Sequence, residues 1–510
     1  VSGAVPDAER IPVVVASGQS IERDGVVNPV ELMERACQQA LAVVPGLRGA
    51  IDRLSVVGVM TRTGPAPATE LARRIGADSA TCEVSSIGGN TPQWLVNRAS
   101  SDIAGGRLSV TVIAGAEAIR SSRARRRAGL PRNEATTDLP PDPVVGDDLP
   151  GVGPAETAID LLLPVHVYPL FESVVASRAG HDAPAHRGAM GRLFAPFTAV
   201  AARNPYAWFP IARTAAELAT PSPDNRIVAE PYTKLMTAFL GSDQGAAVVV
   251  CSLAAAQRAG VADRAVFVWS GAETTDVRFP TSRPDLGRSP AIAAAGRALF
   301  EAASSAAGPG ASVDVDDLEL LDLYSCFPSA VELATEALGL APDDRRGLTV
   351  TGGLPYFGGP GNNYTTHGIA SMTDLLRGAE TTSLGMTTGL GWFITKHALG
   401  IYGSAPPPGG FQRGDTTAAQ VRIDRSAVET ALAVDDPTPA TVLASTVIRD
   451  SQGAATGAPV IARLPDGRQM ALAPADDEVT EAMGPLDVPG LVGGTVVVQP
   501  GPARYRLAAG

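Results

Sequence analysis

Four short runs carry the residues able to do chemistry. Asp322-Leu-Tyr-Ser-Cys-Phe-Pro-Ser-Ala-Val-Glu332 sets a phenol, Tyr324, two residues before a thiol, Cys326, where a strand-like run turns into a helix beginning near Ser329. Gly352-Gly-Leu-Pro-Tyr-Phe-Gly-Gly-Pro-Gly-Asn-Asn-Tyr-Thr-Thr-His367 is a glycine-rich loop closing on two amides, Asn362 and Asn363, and an imidazole, His367. The glycines of Gly385-Met-Thr-Thr-Gly-Leu-Gly391, Gly389 among them, let backbone N–H groups approach an oxyanion. Finally, Val84-Ser-Ser-Ile-Gly-Gly-Asn-Thr-Pro-Gln-Trp-Leu-Val-Asn97 passes from a strand into a helix. A helix start lowers a thiol pKa and cradles an anion, yet Gly89 and Asn90 stand there and no cysteine does.

If Cys326 and His367 touch, the imidazole lowers the thiol pKa and Cys326 becomes a nucleophile or an acid/base. The plainer reading of Cys326 is a small buried hydrophobe. Tyr324 reads as a phenol donor or as strand-end packing. Asn362 and Asn363 read as carbonyl donors or as turn residues.

The elements that must position these groups alternate. Residues 11–16 and Leu54 to Val59 read as strands, Pro29 to Val43 and Pro67 to Ile75 as helices, and the alternation runs on to Glu117. Residues 130–155, including Asp138-Leu-Pro-Pro-Asp-Pro143, break it as a loop. Residues 161–240 are rich in aromatics and read as an insertion. Strands resume at Gly245 to Ser252, and Ala405-Pro-Pro-Pro-Gly-Gly410 reads as a linker. Beyond it, Ala440 to Val447, Val460 to Leu464, Met470 to Leu472 and Thr495 to Val498 read as strands of a small barrel or sandwich with no long helix.

The chain has 510 residues, enough for two or three domains, and a net charge of −12 from 41 basic and 53 acidic residues. That balance argues against nucleic acid or an anionic membrane as partner. The one basic run, Arg120 to Arg127, reads as a solvated helix end or a phosphate site. The four cysteines show neither metal-ligand spacing nor a disulfide framework, so no metal is expected. No 18-residue apolar run and no basic-then-apolar leader is seen, which predicts a cytoplasmic protein that is not integral to a membrane.

In order and spacing the four runs resemble the thiolases, over roughly residues 10–403. Without gaps, the family's nucleophilic cysteine falls on Gly89, its Gly-His-Pro histidine on Gly359, and the cysteine of its Cys-x-Gly-Gly-Gly-x-Gly loop on Gly385. Cys326 falls on the acid/base cysteine of the His-Asp-Cys-Phe motif of sterol-carrier-protein-type thiolases, with Tyr324 and Ser325 in place of the histidine and aspartate. Ala202-Arg-Asn-Pro-Tyr-Ala-Trp208, Ser222-Pro-Asp-Asn-Arg226, Thr395-Lys-His397 and the β tail resemble the thiolase-like protein type 1 group.

The resemblance implies an α/β protein with a five-layered α/β/α/β/α fold from two similar halves. Residues 1–280 would form the N-terminal half, including an inserted loop domain at about 125–240. Residues 281–404 would form the C-terminal half and 411–510 an additional β domain. It implies coenzyme A or an acyl-CoA as substrate or ligand, with no covalently bound cofactor. Cys326, His367 and Tyr324 would be catalytic; Gly89, Asn90, Gly359, Asn362, Asn363, Gly385 and Gly389 would line the substrate. The implied function is an acyltransferase of the acetyl-CoA acetyltransferase kind in lipid metabolism, with an altered site. A retro-aldol lyase on acyl-CoA and a non-catalytic binder of CoA or acyl lipids are the alternatives. Whether the chain is an enzyme, and whether it is a monomer or a homodimer, stays open.

Overall fold

A computed structural model describes residues 7–508 apart from 62 and 131–138. Nine strands of an eleven-stranded sheet form the central architecture: β1 (Pro12–Ile21), β2 (Arg53–Val56), β3 (Thr81–Ser85), β4 (Val110–Ala118), β5 (Asp243–Ser252), β6 (Val266–Thr275), β7 (Leu320–Asp322), β8 (Leu384–Gly391) and β9 (Lys396–Gly403). Their hydrogen-bonded order is β7-β8-β9-β6-β1-β5-β4-β2-β3. Reading outward from the β1–β6 junction, one half runs first, last, fourth, second, third strand, and the other runs first, last, penultimate, second. The fold is therefore duplicated. Among the described residues, the halves pair edge to edge through Val13↔Phe267 and Val14↔Val266.

Eight helices matter here: α1 (Pro29–Ala42), α2 (Thr91–Ala104), α3 (Ile119–Arg127), α4 (Pro164–Arg178), α5 (Ala183–Ala201), α6 (Pro290–Ala307), α7 (Pro328–Leu338) and α8 (Tyr364–Arg377). The outer helix α1 packs on β1, β4 and β5, and α6 packs on β6 and β9. Between the two halves lie α2 and α8, each touching strands of both and each other. Their apolar faces, with Leu95, Val96, Ile369 and Met372, share a core with Val14, Val248, Val250, Val266 and Val268. Strand β5 is buried along its whole length because helices cover both faces.

This middle layer explains the starts of α2 and α8. Thr91-Pro92 opens α2 with a proline in its first turn, where the missing N–H costs nothing. Gly361–Asn363 form a short 3-10 turn leading into α8. Both helix starts therefore point to one place between the halves.

Much of residues 125–240 forms helices between β4 and β5, chiefly α4 and α5; positions 131–138 of the Pro/Asp-rich loop lie outside the described residues. The expected linker at Ala405–Gly410 is pinned, since Gly409 N–H donates to Ala306 O on α6 at 2.6 Å. The tail adds a helix, Thr417–Arg425, that the β pattern does not predict. Thr438–Ser445, Val460–Arg463, Gln469–Pro474, Arg504–Leu507 and Thr495–Val498 close into a barrel, deciding between barrel and sandwich. A further four-stranded sheet is shared: Tyr232–Thr233 and Ile227–Ala229 come from the insertion, Ile448–Arg449 and Ala455–Gly457 from the tail. No described helix is long and apolar enough to cross a membrane.

Candidate functional site

The turn between β3 and α2 carries Gly89. A β-carbon built there would lie 2.5 Å from the Leu390 carbonyl oxygen and 2.7 Å from Cζ of Tyr324, and would overlap the Tyr324 hydroxyl. The phenol fills the space a side chain at 89 would need. The Gly89 N–H has no hydrogen-bond partner among the described residues, while its carbonyl accepts from Thr365 Oγ1 at 2.9 Å.

Tyr324 is held from behind: its N–H donates to Thr388 Oγ1 at 2.8 Å, and its ring meets Tyr364 edge-on at 5.5 Å. Burial, with Cys326 and Tyr364 beside it, pushes the phenol well above its ordinary range, so it stays a protonated donor. Burial likewise pushes the Cys326 thiol up to about 12, with Tyr168 only partly offsetting it. A thiol so placed is not a thiolate at neutral pH. Tyr168 also donates to the Trp392 carbonyl at 2.8 Å and stacks on Phe327.

His367 is not brought to this thiol. Its Nδ1 lies 2.8 Å from Gln19 Oε1 on β1, its ring packs edge-on to Phe357, and burial lowers its pKa to about 3. Thr365 and His367 are two residues apart on α8, about 200° around the helix, so with Thr365 on Gly89 the imidazole faces the other way. Asn362 bridges the halves, donating to Gly58 O at 2.7 Å and accepting from Gly88 N–H at 3.0 Å. Asn363 donates to Gly115 O at 2.6 Å. The Asn363 oxygen accepts from Thr366 Oγ1 at 2.6 Å, so both amides are already engaged within the protein. Asn90 Oδ1 is buried without a partner beside them.

The remaining glycines separate. A β-carbon on Gly389 would lie 2.9 Å from Asn90 Cα and 3.0 Å from Gly89 O, so Gly389 abuts the α2 start. Gly385 lies four strand residues away, about 13 Å along β8, packed against Met372 and Leu320. Gly359 N–H donates to Phe239 O at 2.8 Å, and a β-carbon there would meet that oxygen at 3.2 Å. A histidine at 359 would press on the Phe239 backbone and the Leu240 side chain.

Sequence reasoning missed Thr365, Thr388, Tyr168 and Lys396. Lys396 Nζ donates to Ile87 O at 2.7 Å and Asp147 O at 2.9 Å, fixing the turn before Gly89. Its signal was present, as Lys234 and Lys396 are the chain's only lysines. Between β8 and β9, Trp392 and Ile394 adopt left-handed backbone with φ of 57° and 52°. For the β-branched Ile394 this is strained, and such strain gathers at working sites.

Nearby, Val27, Met60, Thr61, Ile119, Arg123, Arg126 and Leu130 line a cavity of about 680 Å³. It adjoins the glycine loop through Glu117, which accepts from the N–H groups of Met60 and Thr61 and lies against Gly361.

The crystal structure of a monomeric SCP2-thiolase-like protein type 1 from Mycobacterium smegmatis matches 98% of this chain and 99% of its own, with a TM-score of 0.82 and 30% sequence identity. The chain belongs to the SCP2-thiolase-like protein type 1 family. An Ltp2–ChsH2(DUF35) aldolase matches 78% of this chain and 99% of its own (TM-score 0.57, 19% identity). Acetyl-CoA acetyltransferase from Syntrophomonas wolfei matches 78% and 100% (TM-score 0.56, 14% identity). At those identities they share the fold alone. No protein-family model and no curated protein sequence matches the chain. In this family member, then, the thiolase scaffold holds a phenol against the glycine to which the motif alignment assigns the nucleophile.

Proposed function

We propose that the chain is a thiolase-fold binder of acyl-CoA thioesters that forms no acyl-enzyme at position 89. The observation that carries this reading is the Tyr324 phenol filling the side-chain space of Gly89. Covalent acyl transfer needs a nucleophile there or an ionised thiol at Cys326, and Cys326 is pushed up to about 12. The Arg123 and Arg126 guanidiniums suit the phosphates of coenzyme A, and the cavity they flank is of ligand size. The setting is lipid metabolism in the cytoplasm, and a monomer is the assembly proposed.

Calorimetry with free CoA and acyl-CoAs of increasing chain length tests this, alongside intact mass after incubation. Binding that strengthens with chain length, without an adduct and without thiolysis of 3-ketoacyl-CoA, supports it. An acyl adduct on Cys326, with turnover lost in Cys326→Ala, establishes the acyltransferase reading instead.

A second reading, retro-aldol cleavage of a 3-hydroxyacyl-CoA, rests on the unpaired Gly89 N–H beside the protonated Tyr324 hydroxyl. Two such donors stabilise an enolate oxygen without a covalent carrier. A carbonyl product and a shortened acyl-CoA, formed without free CoA, would select it.

A further inference from the structure

A second buried ionisable cluster lies where the insertion meets the C-terminal half. Glu172 comes from α4, His186 from α5 and Glu332 from α7. His186 Nε2 lies 2.5 Å from Glu172 Oε1 and 4.0 Å from Glu332 Oε1. One ligating atom from each of the three lies within 4.8 Å of the others. Tyr232 donates to Glu172 Oε2 at 2.5 Å and meets Ser329 Oγ at 2.8 Å. On the outer side, His181 Nδ1 lies 3.4 Å from His186 Nδ1.

Glu172 and His186 are fully enclosed, while Glu332 leaves 16% of its side chain open, a path from solvent. Glu332 Oε2 is itself buried and has no hydrogen-bond partner. Among the described residues, the only basic side chain within ion-pair distance of either glutamate is His186, an imidazole charged only when protonated. Two adjoining buried carboxylates without Lys or Arg are costly unless a proton or a cation sits between them. Two carboxylate oxygens, one imidazole nitrogen and an open edge match a zinc-type site with three protein ligands and a water.

We propose that Glu172, His186 and Glu332 bind one divalent ion of the zinc class. Glu172 supplies Oε1, with Tyr232 holding its other oxygen, a supporting bond typical of metal-ligating carboxylates. His186 supplies Nε2. On binding, the proton that neutralises one of the two carboxyls leaves to solvent, and His186 carries its own proton on Nδ1, facing His181. The ion closes the His186–Glu332 separation and ties α4 and α5 to α7, whose N-cap Phe327 adjoins Cys326. Its role is a clamp on the insertion, independent of the reading at Gly89.

The test uses tag-free full-length protein, stripped with a chelator, then titrated with Zn²⁺ by calorimetry in buffers of different ionisation enthalpy. The expected result is one equivalent bound with proton release, a raised Tm, and d–d absorption bands on Co²⁺ substitution. Glu332→Gln, at the open edge, should weaken binding by at least about tenfold; His186→Asn should do the same. Stripped wild-type protein that takes up no Zn²⁺, or uptake unchanged in Glu332→Gln, overturns the proposal and leaves a proton-sharing cluster. The wild-type titration decides even if a variant fails to fold.

Discussion

Tyr324 and Gly89 share one side-chain volume: the phenol of the first stands where a β-carbon on the second would have to go. The two positions are therefore coupled. Gly89→Cys alone should destabilise the protein by about 1–3 kcal/mol through overpacking. In a Tyr324→Ala background, where only the Leu390 carbonyl still crowds position 89, the same substitution should cost less than it does beside the phenol. Chemical denaturation of the two single variants and the double variant measures the coupling, and additive effects would refute the shared volume.

Cys326 should resist alkylation. Burial holds its thiol near 12, so native protein treated with iodoacetamide between pH 7 and 9 should gain no label there on the time scale of unfolded protein. Peptide mass mapping reads this directly. Rapid labelling with a midpoint below pH 8 would make Cys326 a reactive thiol and revive the acyltransferase reading.

His367 should tie stability to pH. Its folded value is about 3 against an ordinary 6.5, so above pH 6.5 the imidazole is neutral in both states and its contribution is complete. Below 6.5 the unfolded chain takes up a proton that the folded chain refuses. Stability then falls by up to about 1.4 kcal/mol per pH unit as pH drops toward 3. Urea unfolding of wild type and His367→Gln at pH 4 to 7 should show the variant lacking this component. Parallel curves would place the group elsewhere.

Lys396→Met should loosen the turn before Gly89, because it leaves the Ile87 and Asp147 carbonyls without their donor. A loss of about 1–3 kcal/mol is expected, with weaker acyl-CoA binding. Unchanged stability would show that water replaces the ammonium at no cost.

Arg123→Glu and Arg126→Glu should each weaken CoA binding about tenfold at low salt, with a smaller effect at high salt. Calorimetry at two ionic strengths tests this. Equal affinity in both variants would remove the arginine-lined cavity from the proposed function.

The duplicated fold was legible because glycine loops and helix starts lie in chain order, and a local signal survives translation into three dimensions. Contents of the site were less legible. A gapless motif alignment assigns a cysteine position to Gly385, but strand β8 carries Gly389, not Gly385, to the α2 start. His367 looked available from its place in the chain, yet the helical rotation that sets Thr365 on Gly89 turns the imidazole toward Gln19. That Tyr324 fills the empty position depends on packing between distant segments, which no spacing encodes. The tail's strands were readable from their alternation, while Thr417–Arg425, largely exposed and polar, gave a weak helical pattern.

The sheet shared by insertion and tail makes the last hundred residues more than an appendage. Ile448 pairs with Ala229 and the Glu230 N–H donates to the Val447 carbonyl, so truncation near residue 410 would bare this short strand edge, a template for self-association. The shortened protein should precipitate rather than survive as a minimal thiolase core, and the tail supplied as a separate polypeptide should rescue its solubility by re-pairing along that seam.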